Sequence, residues 1–129
     1  MDITGLNTTI VQLAESDLNQ NSQESQAAVT QLLDALTRGE VRSAVKKNGE
    51  WQAVEWVKTG ILLAFRIGQV REFPARPSPY YDKDTLPLRN TRGIEDNIRI
   101  VPGGSSVRAG AFLGENVIIM PPAFVNIGA

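Results

Sequence analysis

Side chains that could bind a small anion are concentrated late in this chain, where four arginines follow one another: Arg89, Arg92, Arg99 and Arg108. A planar guanidinium suits a carboxylate, because it can donate two parallel hydrogen bonds to it. Some of these arginines are therefore candidate receptors for an anionic substrate. The alternative is that they are solvated or pair with nearby acids such as Glu95 and Asp96, an arrangement of little energetic consequence.

The sequence contains neither histidine nor cysteine. Histidine is the commonest general base near neutral pH and the commonest metal ligand, while cysteine would supply a thiolate nucleophile, a disulfide or a metal site. We therefore expect no metal site and no catalytic nucleophile of these types in the 129 residues.

The overall charge excludes some classes of partner. The formal net charge is −1 and 21% of the residues are charged, so no basic excess attracts nucleic acid or an anionic membrane. No apolar run approaches the length of a membrane span, and the polar N-terminus does not have the pattern of a signal peptide. The expectation is a soluble cytoplasmic protein.

A six-residue period begins at Val101 and runs to Ala129. Its first position is always aliphatic, its fifth is small or short, and its fourth favours glycine or asparagine. The first-position residues are Val101, Val107, Leu113, Ile119 and Val125. The fifth-position residues are Ser105, Ala111, Val117, Ala123 and Ala129, and the fourth-position residues are Gly104, Gly110, Asn116, Pro122 and Gly128.

Hexapeptide periods are typical of parallel β-helices, and we predict the first coils of a left-handed one. The aliphatic column would point into a narrow prism, and Gly or Asn would tolerate left-handed backbone at the corners. Pro122 breaks that column and needs a different turn. An ordinary pair of apolar strands is the alternative, but it predicts period two rather than period six.

The chain before this repeat predicts a small helical domain with a hairpin. Apolar spacing indicates helices over residues 2–18 and from about Ser22 to Gly39, joined by a polar linker, with Ser22 or Ser25 as the cap. Residues 41–54 predict a hairpin around Asn48-Gly49, and residues 55–67 a third helix in which Gly60 marks a close helix contact. Residues 68–97 lose all periodicity and predict an extended connector, set by Pro74, Pro77, Pro79 and Pro87.

Several segments carry a resemblance to one family. They are Gly49-Glu-Trp, Trp56-Val-Lys-Thr-Gly-Ile-Leu-Leu-Ala-Phe-Arg-Ile67, Tyr80-Tyr-Asp-Lys83, Arg99-Ile-Val-Pro, Val107-Arg-Ala-Gly-Ala-Phe112 and Met120-Pro-Pro-Ala-Phe-Val-Asn-Ile-Gly-Ala129. Together they resemble the N-terminal part of the tetrahydrodipicolinate N-succinyltransferases of lysine and diaminopimelate synthesis. The likeness spans about residues 41–129 and is most specific in the last thirty or so.

The resemblance implies a homotrimer with active sites in grooves between neighbouring β-helices. It implies succinyl-CoA as co-substrate, no tightly bound cofactor, and an acyclic amino-keto diacid as acceptor, whose amine attacks the thioester directly. Arg99 matches a position that binds the acceptor, through a carboxylate, and Arg108 is a possible second substrate-binding residue. The catalytic acid and most CoA-binding groups are expected downstream of Ala129.

The sequence thus predicts an α+β chain of two parts. Residues 1–97 form the helical and hairpin domain with its Pro-rich connector, and residues 98–129 begin a truncated left-handed β-helix. The expected function is that of an N-succinyltransferase fragment that is inactive by itself. Two other functions stay open: a non-catalytic assembly module, and a stub of another hexapeptide transferase.

Overall fold

The computed structural model describes residues 2–16, 22–75 and 78–129. The predicted linker falls largely, and Pro77 falls wholly, outside these residues. Within them the chain is a small α+β structure, as predicted. Its helices are α1 (Ile3–Glu15), α2 (Gln23–Arg38) and α3 (Glu55–Ile67). Its strands are β1 (Ala44–Lys47), β2 (Glu50–Ala53), β3 (Val70–Phe73), β4 (Tyr80–Lys83), β5 (Arg99–Ile100), β6 (Ser106–Val107), β7 (Ile118–Ile119) and β8 (Phe124–Val125).

The three helices pack around one apolar core. Ser22 caps α2 by accepting a hydrogen bond from the backbone of Ser25, and Gly39 ends that helix in the left-handed conformation, at φ 72°. Gly60 lies where α3 crosses the other two helices, since a methyl group there would collide with Leu32 and lie 3.2 Å from Ile10. The predicted close contact at Gly60 is confirmed. The fully buried side chains of this core include Ile10, Val29, Leu32, Val57, Leu63 and Ile67.

The first hairpin has the predicted turn. Asn48 and Gly49 both have positive φ, at 51° and 88°, as a tight two-residue hairpin turn requires. Strands β1 and β2 pair antiparallel from Ala44 opposite Ala53 to Lys47 opposite Glu50.

The prediction of an extended connector over residues 68–97 is wrong in its first half, where β3 and β4 form a second antiparallel hairpin. Val70 pairs with Lys83 and Phe73 with Tyr80. Tertiary contacts fix this hairpin: the Thr85 hydroxyl donates to the carbonyl of Ala64 at 2.7 Å, near the end of α3. The sequence between these two strands contains prolines and no dipeptide typical of a tight hairpin turn, such as Asn-Gly. The second hairpin therefore could not be predicted from neighbouring residues.

The last four strands form two parallel pairs. Arg99 and Ile100 pair with Ile118 and Ile119, and β6 pairs with β8, where Ser106 lies opposite Phe124. The partners are 18 or 19 residues apart in sequence, which is about three hexapeptides. The β6–β8 pair joins equivalent positions of successive eighteen-residue segments, and the β5–β7 pair is offset from that register by one residue.

The hexapeptide columns differ in burial as the period predicts. A second apolar cluster is formed by first-position and fifth-position residues: Val107, Ala111, Leu113, Val117, Ile119, Ala123 and Val125. At the fourth position Gly104, Gly110, Asn116 and Gly128 all have positive φ, from 62° to 90°. The bond between Pro121 and Pro122 is cis. The side chains at positions next to the inward columns, such as Ile118, Met120 and Phe124, are more than half exposed.

Candidate anion-binding site

Arg99 lies in strand β5 and borders an open pocket of about 730 Å³. Its backbone N–H donates to the carbonyl of Val117 at 3.0 Å, which fixes the strand while the side chain remains exposed. Ile98 on one side is buried, and Ile100 on the other is 38% exposed. The pocket is lined by Thr91, Gly93, Ile94, Asn97, Ile98, Arg99, Ile100, Val101 and Pro102.

The acids that could have neutralised Arg99 are engaged elsewhere. Glu95 pairs with the guanidinium of Arg92 at 2.8 Å, and Asp96 lies 3.6 Å from the same group. Among residues 2–16, 22–75 and 78–129, Arg99 forms no salt bridge and no side-chain hydrogen bond. The guanidinium of Arg99 is therefore available to an anion from outside the described structure.

Arg89 has a different environment, because only 9% of its side chain is exposed. Its guanidinium donates to the carbonyl of Ala111 at 2.7 Å and to that of Thr37 at 3.5 Å, and it lies 3.9 Å from Asp96. The Nε of Arg89 is buried without a hydrogen-bond partner in the described part of the chain. Arg89 thus ties the end of α2 to the hexapeptide region and to the turn before Arg99.

The side chain of Arg108 also interacts with other residues of the chain. Its guanidinium forms a salt bridge with Asp82 on strand β4 and donates to the side-chain oxygen of Asn126 at 3.2 Å. It also lies over the rings of Phe65 and Phe124, 5.7 Å and 5.4 Å from their centroids. Only 12% of its side chain is exposed. The structure therefore places Arg108 as a connection between the second hairpin, α3 and the parallel strands.

A second cleft, of about 490 Å³, opens beside Arg108. Aromatic and aliphatic side chains form most of its wall, among them Phe73, Tyr80, Leu88 and Phe124. Arg99 does not border it, so the two arginines singled out by the sequence lie in separate cavities. The sequence did not indicate Asp82 or Phe65 as partners of Arg108, because both come from elements distant in the chain.

Neither a metal centre nor a membrane span is found in the described residues. No cluster of three or more acidic side chains that could hold a metal ion is present in the described ranges. None of the helices found in those ranges is long and apolar enough to cross a membrane.

The chain is similar in sequence to one protein family and to several named proteins. Residues 6–67 match the family described as Tetrahydrodipicolinate N-succinyltransferase N-terminal. The chain is 37% identical over 109 residues to a protein from Photorhabdus laumondii, with 82% of the chain and 39% of that protein aligned. It is 36% identical over 108 residues to one from Actinobacillus pleuropneumoniae, with 81% and 39% aligned, and 38% identical over 110 residues to one from Idiomarina loihiensis, with 79% and 38% aligned.

The helical domain and the segments after it are thus related to N-succinyltransferases, and the resemblance found in the sequence is confirmed. Each of the three relatives carries the name 2,3,4,5-tetrahydropyridine-2,6-dicarboxylate N-succinyltransferase. The chain spans about 39% of the length of the first of them, and residues 6–67 match the family's N-terminal segment.

Proposed function

We propose that this chain is the N-terminal part of a tetrahydrodipicolinate N-succinyltransferase, and that Arg99 binds a carboxylate of the acceptor. The proposal includes succinyl-CoA as donor and a cytoplasmic reaction. The guanidinium of Arg99 has no ion-pair partner among the described residues and borders an open pocket, and this observation carries the site assignment. The similarity to proteins named for this reaction supports the activity.

In the proposed reaction the acceptor amine attacks the thioester carbonyl of succinyl-CoA. An amide bond forms, the C–S bond breaks and CoA leaves as its thiolate, while the amine proton passes to a base and from the base to the CoA sulfur. The role of Arg99 is to hold one end of the diacid by a charged, paired hydrogen bond, so that the amine is oriented toward the thioester. No residue among the 129 is assigned as the base, which we place beyond Ala129.

The fold proposed for residues 98–129 is the beginning of a left-handed parallel β-helix. Three features support it: parallel pairing at a spacing of 18 or 19 residues, apolar first and fifth positions turned inward, and positive φ at four fourth-position residues. Repeat structures of this kind bury their core between successive coils. The boundary between residues 97 and 98 remains a prediction.

We also propose a homotrimer. The exposed side chains of Ile118, Met120 and Phe124 give the parallel strands an apolar outer surface, and such surfaces usually mark interfaces. Phe112, which is 36% exposed, is less available to this surface. Its ring packs on Gly39 and lies 4.4 Å from the guanidinium of Arg42, so it contributes largely within the chain.

Succinyl transfer in a chimera tests the proposed function. Residues 1–129 would replace the matching part of the Photorhabdus laumondii relative, and release of the CoA thiol from succinyl-CoA would be followed with and without tetrahydrodipicolinate. We expect acceptor-dependent thiol release by the chimera and none by the 129 residues alone, because most of the donor site is assigned to the segment after Ala129. A folded but inactive chimera, or an active isolated chain, would contradict the proposal.

A further inference from the structure

In the turn beside the Arg99 pocket, the acidic side chains of Glu95 and Asp96 form ion pairs with Arg92. We propose that Arg92 is a positioning residue for acceptor binding: by holding Glu95 and Asp96 in ion pairs, it keeps Arg99 unpaired and open to a dicarboxylate. Arg89 supports it from the buried side of the turn. This inference rests on the proposed function, because it takes Arg99 as the receptor for a carboxylate of the acceptor.

The turn and the pocket are parts of one local structure. Thr91, Gly93, Ile94 and Asn97 line the pocket, so the turn forms one of its walls. Two backbone hydrogen bonds close the turn, from Asp96 to Arg92 at 2.7 Å and from Ile98 to Gly93 at 2.8 Å. Glu95 and Asp96 belong to the same turn, four and three residues before Arg99, but they are not among the residues that line the pocket.

The two acids depend on Arg92 to different degrees. The Asp96 carboxylate lies 3.6 Å from the guanidinium of Arg92 and 3.9 Å from that of Arg89. It also accepts a hydrogen bond from the backbone N–H of Arg92 at 3.2 Å. In the described part of the chain, Glu95 has one ion-pair partner, Arg92 at 2.8 Å. Removal of the Arg92 charge therefore releases Glu95 first.

The electrostatic consequence follows from the charges of this ion-pair cluster beside the pocket. Arg89 and Arg92 carry two positive charges and Glu95 and Asp96 two negative ones, so the cluster is neutral. Without Arg92 the cluster carries one net negative charge. That charge repels a dicarboxylate, and the freed Glu95 side chain competes with the ligand for Arg99. Since Arg92 and Glu95 are each about two-thirds exposed, added salt weakens the effect.

Pimelate, a dicarboxylate with the seven carbons of the acceptor, serves as the probe. Its dissociation constant for the 129-residue chain is measured by NMR titration of the Arg99 Nε–Hε signal, at low and high salt. We expect Arg92→Gln to weaken binding about three- to tenfold at low ionic strength and less at high salt. The second substitution Glu95→Gln in that variant should restore binding to within about twofold of wild type.

Arg38→Gln is the matched control. Arg38 forms a similar exposed pair with Glu40 at 2.8 Å, at the end of α2, and its loss changes the net charge by the same amount. Pimelate binding should be unchanged in this variant. The control separates the local effect of Arg92 from a general change in the charge of the chain.

The outcomes distinguish the inference from the function beneath it. If wild type binds pimelate through Arg99 but Arg92→Gln binds equally well, the inference is wrong. If Arg92→Gln binds weakly and Glu95→Gln does not restore it, Arg92 only supports the backbone of the turn, and the inference is again wrong. If the Arg99 signal of the wild-type chain does not change with pimelate, the assignment of Arg99 as the acceptor-binding residue is wrong. The inference about Arg92, which depends on that assignment, is then wrong as well.

Discussion

Arg108 and Asp82 form a salt bridge between the second hairpin and the parallel strands. The backbone of Arg108 also donates to the carbonyl of Val125 at 3.0 Å, so this residue belongs to the ladder that aligns β6 with β8. Its guanidinium also lies over the aromatic rings of Phe65 and Phe124. Arg108 therefore forms an internal connection in the structure, and its possible role in substrate binding stays a prediction.

The first prediction concerns the stability supplied by this pair. Arg108→Gln should lower the free energy of unfolding by about 1–3 kcal/mol, because the salt bridge to Asp82 is lost. The loss is limited to this range because the Asp82 side chain is 39% exposed and can be hydrated by water instead. Urea denaturation followed by tryptophan fluorescence measures the change. Arg71→Gln is the control, since its pair with Asp84 spans 3.6 Å and is largely exposed. Equal loss in both variants would contradict the assigned role.

The second prediction concerns packing at Gly60. Gly60→Ala should destabilise the chain by about 1–3 kcal/mol, although alanine favours helices, because the new methyl group meets Leu32 and Ile10. Thermal denaturation measures the effect. Gly114→Ala serves as the control, because the nearest atom to an added methyl group there is 3.9 Å away. Stabilisation of the chain by Gly60→Ala would show that the helices do not approach as closely as described.

Local signals in the sequence predicted the three helices, the first hairpin and the inward columns of the hexapeptide region. Each depends on residues close in sequence, such as Ser22 with Ser25 or Asn48 with Gly49. The β3–β4 hairpin was missed because the Thr85 hydrogen bond to Ala64, a contact over 21 residues, helps to hold it. The role of Arg108 was missed for the same reason, since Asp82 lies 26 residues away.

The sequence predicted which charged residues form the candidate site, but not which of them form ion pairs with each other. The four arginines and the acids Glu95 and Asp96 are visible in the sequence. Which arginine takes which acid depends on the turn over residues 92–98, and the sequence left both outcomes open for Arg99. The structure gives the acids to Arg92 and Arg89.

The third prediction concerns association. We expect the isolated chain to self-associate through the exposed side chains of Ile118 and Met120. The double variant Ile118→Ser, Met120→Ser should shift sedimentation toward the monomer with little change in melting temperature, because both side chains are more than half exposed. Ile94→Ser is the control, since Ile94 is 99% exposed outside this surface. A wild-type chain that stays monomeric at high concentration would contradict the prediction.

The most direct test of the central claim is the acceptor kinetics of Arg99→Lys in the active chimera. Lysine keeps the charge but loses the paired hydrogen bonds, so kcat/KM for tetrahydrodipicolinate should fall by a factor equivalent to about 1–3 kcal/mol. The KM for succinyl-CoA and the melting temperature should change little, and the control Arg38→Lys should leave all three unchanged. An unaltered acceptor kcat/KM in Arg99→Lys would show that Arg99 is a surface charge and not the receptor for the acceptor carboxylate.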